Sequence, residues 1–538
     1  MMLAAQTEKR SSYLELVRSA PRSRFWLGSL DLYPALAAAF LPWSTSAVSI
    51  CLGIWFLALI PTINSRELAE TLKAPASVLP LAFFALAIIG MFWADGSWSV
   101  RLHGLHPVLK FLILPYLLYH YSRSPRAHWV FVAFLVSCTL LTVVSWLAFF
   151  AGWKLGTLTP GVPVNNYIDQ SQELTLCIFA LAPYLASLLA ERKWKRAIAP
   201  AVLITAIFCN LMFVALARTA LLYIPVLAIL FAVRYLSPRR IIALSLLSVF
   251  GAITLWFTSP YLRERYEFTV RDYKVSQSTD IATSNGQRLA YWRASMKWIA
   301  QAPVIGHGTG ATDGLFRAEA AGKSGEWANI IRNPHNQTLY VLIEWGIAGC
   351  ILLYAMWYFH LALFLERDPV SWIGLVVVVQ NFVSSLLNSH LFDFHEGWIY
   401  ALGVGVAGGI RLAAMSRSRE QSPGRPPEDV TRRQERLVPS GVITLMSETD
   451  QLHHRKEIEM RRILAAAAFL TVAGAAVPAS AHDYPYCLQG RSYGYPGSCS
   501  FTSYAQCEAT ASGTDSACGI NPRFAFAAPG RSRRNWNW

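Results

Sequence analysis

Charge is scarce in this sequence. Only 15% of its residues are Asp, Glu, Lys or Arg, against roughly 25% in ordinary soluble domains, and that deficit excludes a soluble globular protein. Other signatures are missing too. There is no phosphate-cradling loop ending in Gly-Lys-Ser/Thr, no dinucleotide-binding turn opening a βαβ unit and no HExxH helix. Nucleotide-driven chemistry, hydride transfer and zinc proteolysis therefore have no visible machinery. His390, Asp393 and His395 share one short turn and are metal-ligand types. Polar side chains of this kind are common where spans meet water, so neither a metal nor another cofactor is expected.

Apolar residues are abundant instead, at 54%, and they fall into runs near the ~20 residues that cross a hydrocarbon core. Twelve such runs lie at about 26–43, 45–63, 77–94, 104–121, 129–151, 171–190, 198–216, 219–236, 241–258, 338–364, 370–388 and 397–413. Trp43, Trp93, Trp146, Trp153 and Trp398 sit near their ends, where amphipathic rings settle at the membrane–water boundary. An all-α polytopic membrane protein of about twelve spans is the expected fold.

The net charge of +15 invites a nucleic-acid partner, but its distribution argues against one. Basic residues gather in alternate short loops: Arg66 and Lys73, Arg123 and Arg126, Lys193 to Arg196, Arg239 and Arg240. Further basic residues precede the first span and follow the last, from Arg10 to Arg24 and from Arg411 to Arg433. Short cytoplasmic loops carry such an excess, so the charge reports orientation. Both ends of the twelve-span core then face the cytoplasm, and the one long loop lies on the outer side.

The chain divides accordingly. A basic lead (1–25) precedes nine spans (26–258), the long loop (259–336) and three more spans (337–413). Inside the loop, Gln287 to Ala300 shows helical spacing of Leu289, Trp292, Met296 and Ile299, with Asn285 as a candidate cap, and a second amphipathic piece covers Asp313 to Ala321. Residues 414–459 are charged and proline-containing, the composition of a disordered linker. At 460–481, Met460-Arg461-Arg462, a short apolar stretch and Ala479-Ser480-Ala481 form the pattern of a secretory signal. The tail (482–538) contains Cys487, Cys499, Cys507 and Cys518. Four cysteines after an export signal predict two disulfides in one of three pairings. The tail resembles small exported cysteine-containing bacterial proteins. A neighbouring reading frame joined at Met460 would explain its place behind a membrane core. Cys51, Cys138, Cys177, Cys209 and Cys350 lie singly in apolar runs and read as packing residues.

Chemistry-bearing residues collect around the long loop. Asn333-Pro334-His335-Asn336 opens an apolar helix. Asn333 suits the N-cap and Pro334 the first helical position, which puts His335 in the first turn. The positive end of the helix dipole keeps an imidazole there neutral and able to take a proton from a hydroxyl. Glu344 is an ionisable group inside the same span, a functional candidate that equally suits capping or pairing with an arginine. Gly346 and Gly349, three apart, would share a helix face and admit a close neighbour. Arg218 marks an outer turn within an apolar stretch; Arg288 and Arg293 lie on the loop helix, and Arg332 precedes the histidine. Guanidinium stays charged and matches phosphate geometry. Charge alternation alone places Arg218, Arg288, Arg332 and His335 on one side of the membrane.

The segments Ala217-Arg218-Thr219, Gln287-Arg288 to Trp292, Pro303-Val304-Ile305-Gly306-His307-Gly308 and His335-Asn336 through Gly349 together resemble the O-antigen ligase and polymerase family of bacterial envelope glycosyltransferases. The resemblance covers roughly residues 200–350 by motif and 26–413 by architecture. It implies a GT-C-like membrane enzyme that is inverting and metal-independent. Such an enzyme moves a glycan from undecaprenyl diphosphate to an acceptor in the periplasm. For a ligase the acceptor is the lipid A-core; for a polymerase it is another lipid-linked repeat unit. The resemblance makes His335 the general base and assigns Arg218 and Arg288 to the diphosphate. Arg293, Arg332, Asn336 and Glu344 are added as substrate-binding candidates, with Gly346 and Gly349 as structural residues. A lipid-linked sugar transporter is the alternative class; it predicts internal repeats and paired interrupted helices, and no repeat is visible.

Overall fold

The computed structural model describes residues 24–155, 160–215, 217, 219–237, 239, 242, 257, 284–322, 333–420, 485–490, 494–501, 504–511 and 516–521. Among them the membrane part is entirely helical: α1 Arg24–Phe40, α2 Thr45–Leu59, α3 Ser65–Leu72, α4 Pro75–Gly90, α5 Trp98–Gly104, α6 Leu109–Tyr121, α7 His128–Ala151, α8 Tyr167–Ala190, α9 Trp194–Phe213, α10 Ala220–Tyr235, α11 Ser284–Gln301, α12 Ala311–Ala320, α13 Gln337–Leu363, α14 Pro369–Ser384 and α15 Phe394–Glu420. Seven helical stretches among the described residues are long and apolar enough to cross a membrane. The pair α3–α4, bent by 90°, makes an eighth if it counts as one span. This is a polytopic membrane protein. Of the other expected spans, 26–43, 219–236 and 370–388 are helices of 17, 16 and 16 residues, and 241–258 lies outside the described residues apart from Ile242 and Phe257.

Large apolar side chains on the outer faces, such as Ile50, Leu57, Val136, Phe150 and Ile351, are exposed. That is costly in water and favourable in lipid. The interior is built by α4, α6, α13, α14 and α15, where Trp345, Phe83, Phe111 and Phe392 pack edge to face. Helix α15 lies closely along α6. A Cβ on Gly409 would meet the Tyr121–Ser122 backbone at 2.8 Å, so only glycine permits this approach.

Local chemistry corrects several expectations. Asn285 lies inside α11 rather than capping it. The cap of α13 is Asn336, whose Oδ1 accepts from Leu339 N at 3.0 Å; Asn333 is not the cap, and His335 stands two residues before the helix. Gly346 does not continue α13 as a packing face. Its φ of 58° and ψ of −154° break the helix, a conformation essentially confined to glycine.

The tail is a three-stranded antiparallel sheet ordered β2-β1-β3 (β1 Tyr486–Gly490, β2 Gly494–Phe501, β3 Ser516–Ile520) with α16 Tyr504–Ala511. Of the three pairings open to the sequence, Cys487–Cys499 and Cys507–Cys518 are formed. They fasten β1 to β2 and α16 to β3. Cys51, Cys138 and Cys177 are free and buried, as expected of packing residues.

Candidate functional site

The break at Gly346 leaves backbone groups of α13 without their helical partners, and a buried group of that kind must find another. The loop after α11 supplies them. His307 N donates to Ile343 O and Gly308 N to Glu344 O, both at 2.8 Å; Ile347 N donates to Pro303 O and Ala348 N to Val304 O, at 2.9 and 3.1 Å. The two chains touch so closely that a Cβ on Gly306 would lie 2.5 Å from the Glu344 carbonyl carbon, and one on Gly346 would lie 2.5 Å from Val304. The Pro303–Gly308 motif is therefore a plug for a broken span. Glu344 completes the joint. Its carboxylate accepts from Gly310 N at 2.8 Å and from Thr312 N and Oγ1 at 3.3 and 2.8 Å, capping α12. It is fully buried and engaged as a cap, the first of the two structural roles its sequence position allowed.

His335 lies just before the N-terminus of α13. Its φ of 53° is left-handed and unusual for a histidine. An Asx turn holds it, with His335 N donating to Asn333 Oδ1 at 2.8 Å. The turn 385–393, between α14 and α15, fixes the rest. Asn388 Oδ1 accepts from His335 Nδ1 at 2.9 Å, Ser389 Oγ donates to Asn333 Oδ1 at 2.7 Å, Asn336 Nδ2 donates to Leu386 O at 2.8 Å and Gln337 N donates to Ser385 O at 2.9 Å. From the loop side, Trp292 of α11 donates to Pro334 O at 3.1 Å, and the Tyr291 ring faces the imidazole at 6.4 Å. Burial lowers the pKa of His335 below the usual imidazole value; the charges of Arg288 and His390 act the same way, and the bond to Asn388 opposes them.

Arg288 lies one turn before Tyr291 and Trp292 on α11, and its charge acts on His335. Arg293 is exposed; five residues on from Arg288, it projects from another side of the helix. Arg218 and Arg332 lie outside the described residues.

Sequence reasoning missed two features. One is Asn388, a polar residue in a turn with no motif to mark it. The other is the run Asp169-Gln170-Ser171-Gln172-Glu173, wholly buried in α8. Asp169 pairs with His395 of α15 at 2.8 Å, Gln170 donates to Ser145 and Asn210, Ser171 meets Tyr223 at 3.1 Å and Gln172 receives Gln380. Five consecutive polar residues in an apolar span were themselves a signal. His390, Asp393 and Glu396 place one donor atom each within 4.8 Å of one another, so Glu396 rather than His395 completes the trio of potential ligands in this turn. Asp393 and Glu396 hold the pKa of His390 above the ordinary value although burial alone would lower it.

No curated protein matches the chain. Residues 456–533 match a family described as Protein of unknown function (DUF3551). Residues 203–354 match the family described as O-Antigen ligase; that span contains Arg218, Arg288, the plug loop and His335, while Asn388 lies beyond it. Over residues 203–354 the chain is therefore similar to the O-antigen ligase family.

Proposed function

We propose that the protein is an O-antigen ligase-type glycosyltransferase, moving a glycan from undecaprenyl diphosphate to a hydroxyl of a lipid A-core acceptor at the periplasmic face of the inner membrane. The observation that carries this reading is the bond between His335 Nδ1 and Asn388 Oδ1. An amide oxygen only accepts, so Nδ1 holds the proton and the neutral ring keeps its lone pair at Nε2. The acceptor hydroxyl attacks the anomeric carbon, its proton passes to Nε2, and the bond from that carbon to the diphosphate oxygen breaks. The lipid diphosphate is already an activated leaving group, so neither ATP nor a protein acid is required. Arg288, whose charge reaches His335, stabilises the departing diphosphate, and Arg218 shares that role by the family resemblance.

Complementation of a strain lacking the gene, with protein level checked, is the test. His335→Ala is expected to lower transfer by about 10²–10⁴ and Arg288→Ala by about 10²–10³. If both variants restore the parental glycolipid profile, the assignment is wrong. The same profile separates ligase from polymerase: loss of a ligase leaves core without repeat units, and loss of a polymerase leaves core bearing one.

A further inference from the structure

The turn that holds His335 is itself held from a distant helix. Lys110 of α6 is almost fully buried, and its Nζ donates to the carbonyls of Leu391, Phe392 and Asp393 at 3.1, 3.2 and 2.7 Å. A lysine ammonium has three N–H donors, and all three serve one stretch of backbone more than 280 residues away. This stretch leads directly into α15, and a cation at a helix N-terminus is at the wrong end of the macrodipole. Its place is explained by the carbonyls and by Asp393 and Glu396, the carboxylates whose charges act on it. The chain also makes room for it: a Cβ on Gly397 would lie 2.0 Å from Nζ and 2.6 Å from Leu391 O.

We propose that Lys110 is a positioning residue for His335. It clamps residues 391–393 and thereby fixes the turn whose Asn388 and Ser389 orient the imidazole and the Asx turn beneath it. The proposal rests on the reading of His335 as the base. Asp393 and Glu396 lie close enough for their charges to act on the Lys110 ammonium, while Glu396 also pairs with His390 Nδ1 at 3.0 Å.

The test uses the full-length protein in lipid nanodiscs, with Lys110→Met and Gly397→Ala as separate variants. Two measurements are made: amide hydrogen exchange over 385–393, and transfer kinetics with an undecaprenyl-diphosphate glycan and lipid A-core. Exchange over the turn is expected to rise at least about tenfold. kcat is expected to fall at least about tenfold with KM within about threefold, since misplacing a reacting group by about 1 Å lowers rate by ~10² without touching binding. Where Lys110→Met fails to fold, Gly397→Ala decides, since alanine favours the helix. Unchanged exchange in a folded variant overturns the clamp. Faster exchange with parental kcat, while His335→Ala is inactive, overturns the positioning role. An active His335→Ala enzyme instead removes the functional reading and leaves the exchange result to judge the clamp alone.

Discussion

Three neighbours decide the protonation of His335. Burial pushes its pKa down, the bond to Asn388 pulls the other way, and the positive charges of Arg288 and His390 add to the lowering. The neutral ring is the working form, so activity is present above this pKa and is lost as pH falls through it. The acid limb of the kcat profile is therefore expected below the ordinary imidazole value of about 6.5. In Arg288→Gln one of the depressing charges is gone, so the limb of the residual activity should move to higher pH; a limb that stays fixed or moves down contradicts this electrostatic account. The histidine was legible in the sequence because of its place before an apolar run. Asn388 was not, because a single amide in a turn acquires meaning only from what folds against it. Glu344 was legible as unusual, but its role as a cap depended on Gly310 and Thr312 arriving from another part of the chain.

Among the elements, the broken helix α13 is the decisive one. Glycine at 346 was read as a packing contact because Gly-x-x-Gly in an apolar helix usually is one. The backbone instead opens there, and the loop from Pro303 to Gly308 closes it with four hydrogen bonds. Gly346→Ala is expected to lower stability by about 1–3 kcal/mol from its backbone conformation alone, with a further steric penalty against Val304, seen as a lower thermal midpoint in detergent. Glu344→Gln tests the cap. One of its donors would then face an amide NH₂, at a loss of about 1–3 kcal/mol, while KM of the remaining folded enzyme stays near the parental value. A raised KM with unchanged thermal midpoint would place Glu344 in the substrate site.

At the level of the whole molecule, two chemically different units share one chain. The membrane unit keeps five free cysteines, and the tail pairs four. Thiol counting on the denatured full-length polypeptide is expected to give five before reduction and nine after it. Equal counts in the two conditions would mean that the tail is reduced. Residues 456–533 match a family of their own, and a neighbouring reading frame joined at Met460 is open to a direct test. Separate products on an immunoblot with antibodies to each unit are then expected, and a single full-length band from native membranes refutes the junction.

The sequence by itself determined that this chain is a helical polytopic membrane protein. Apolar runs and basic loops are local quantities, and the membrane acts on them locally. Only the tertiary structure decided that a span is broken and plugged, that Asn388 faces His335, that Lys110 reaches the same turn and which cysteines pair. Each of those outcomes is a meeting of groups distant along the chain, and no local pattern encodes their contact.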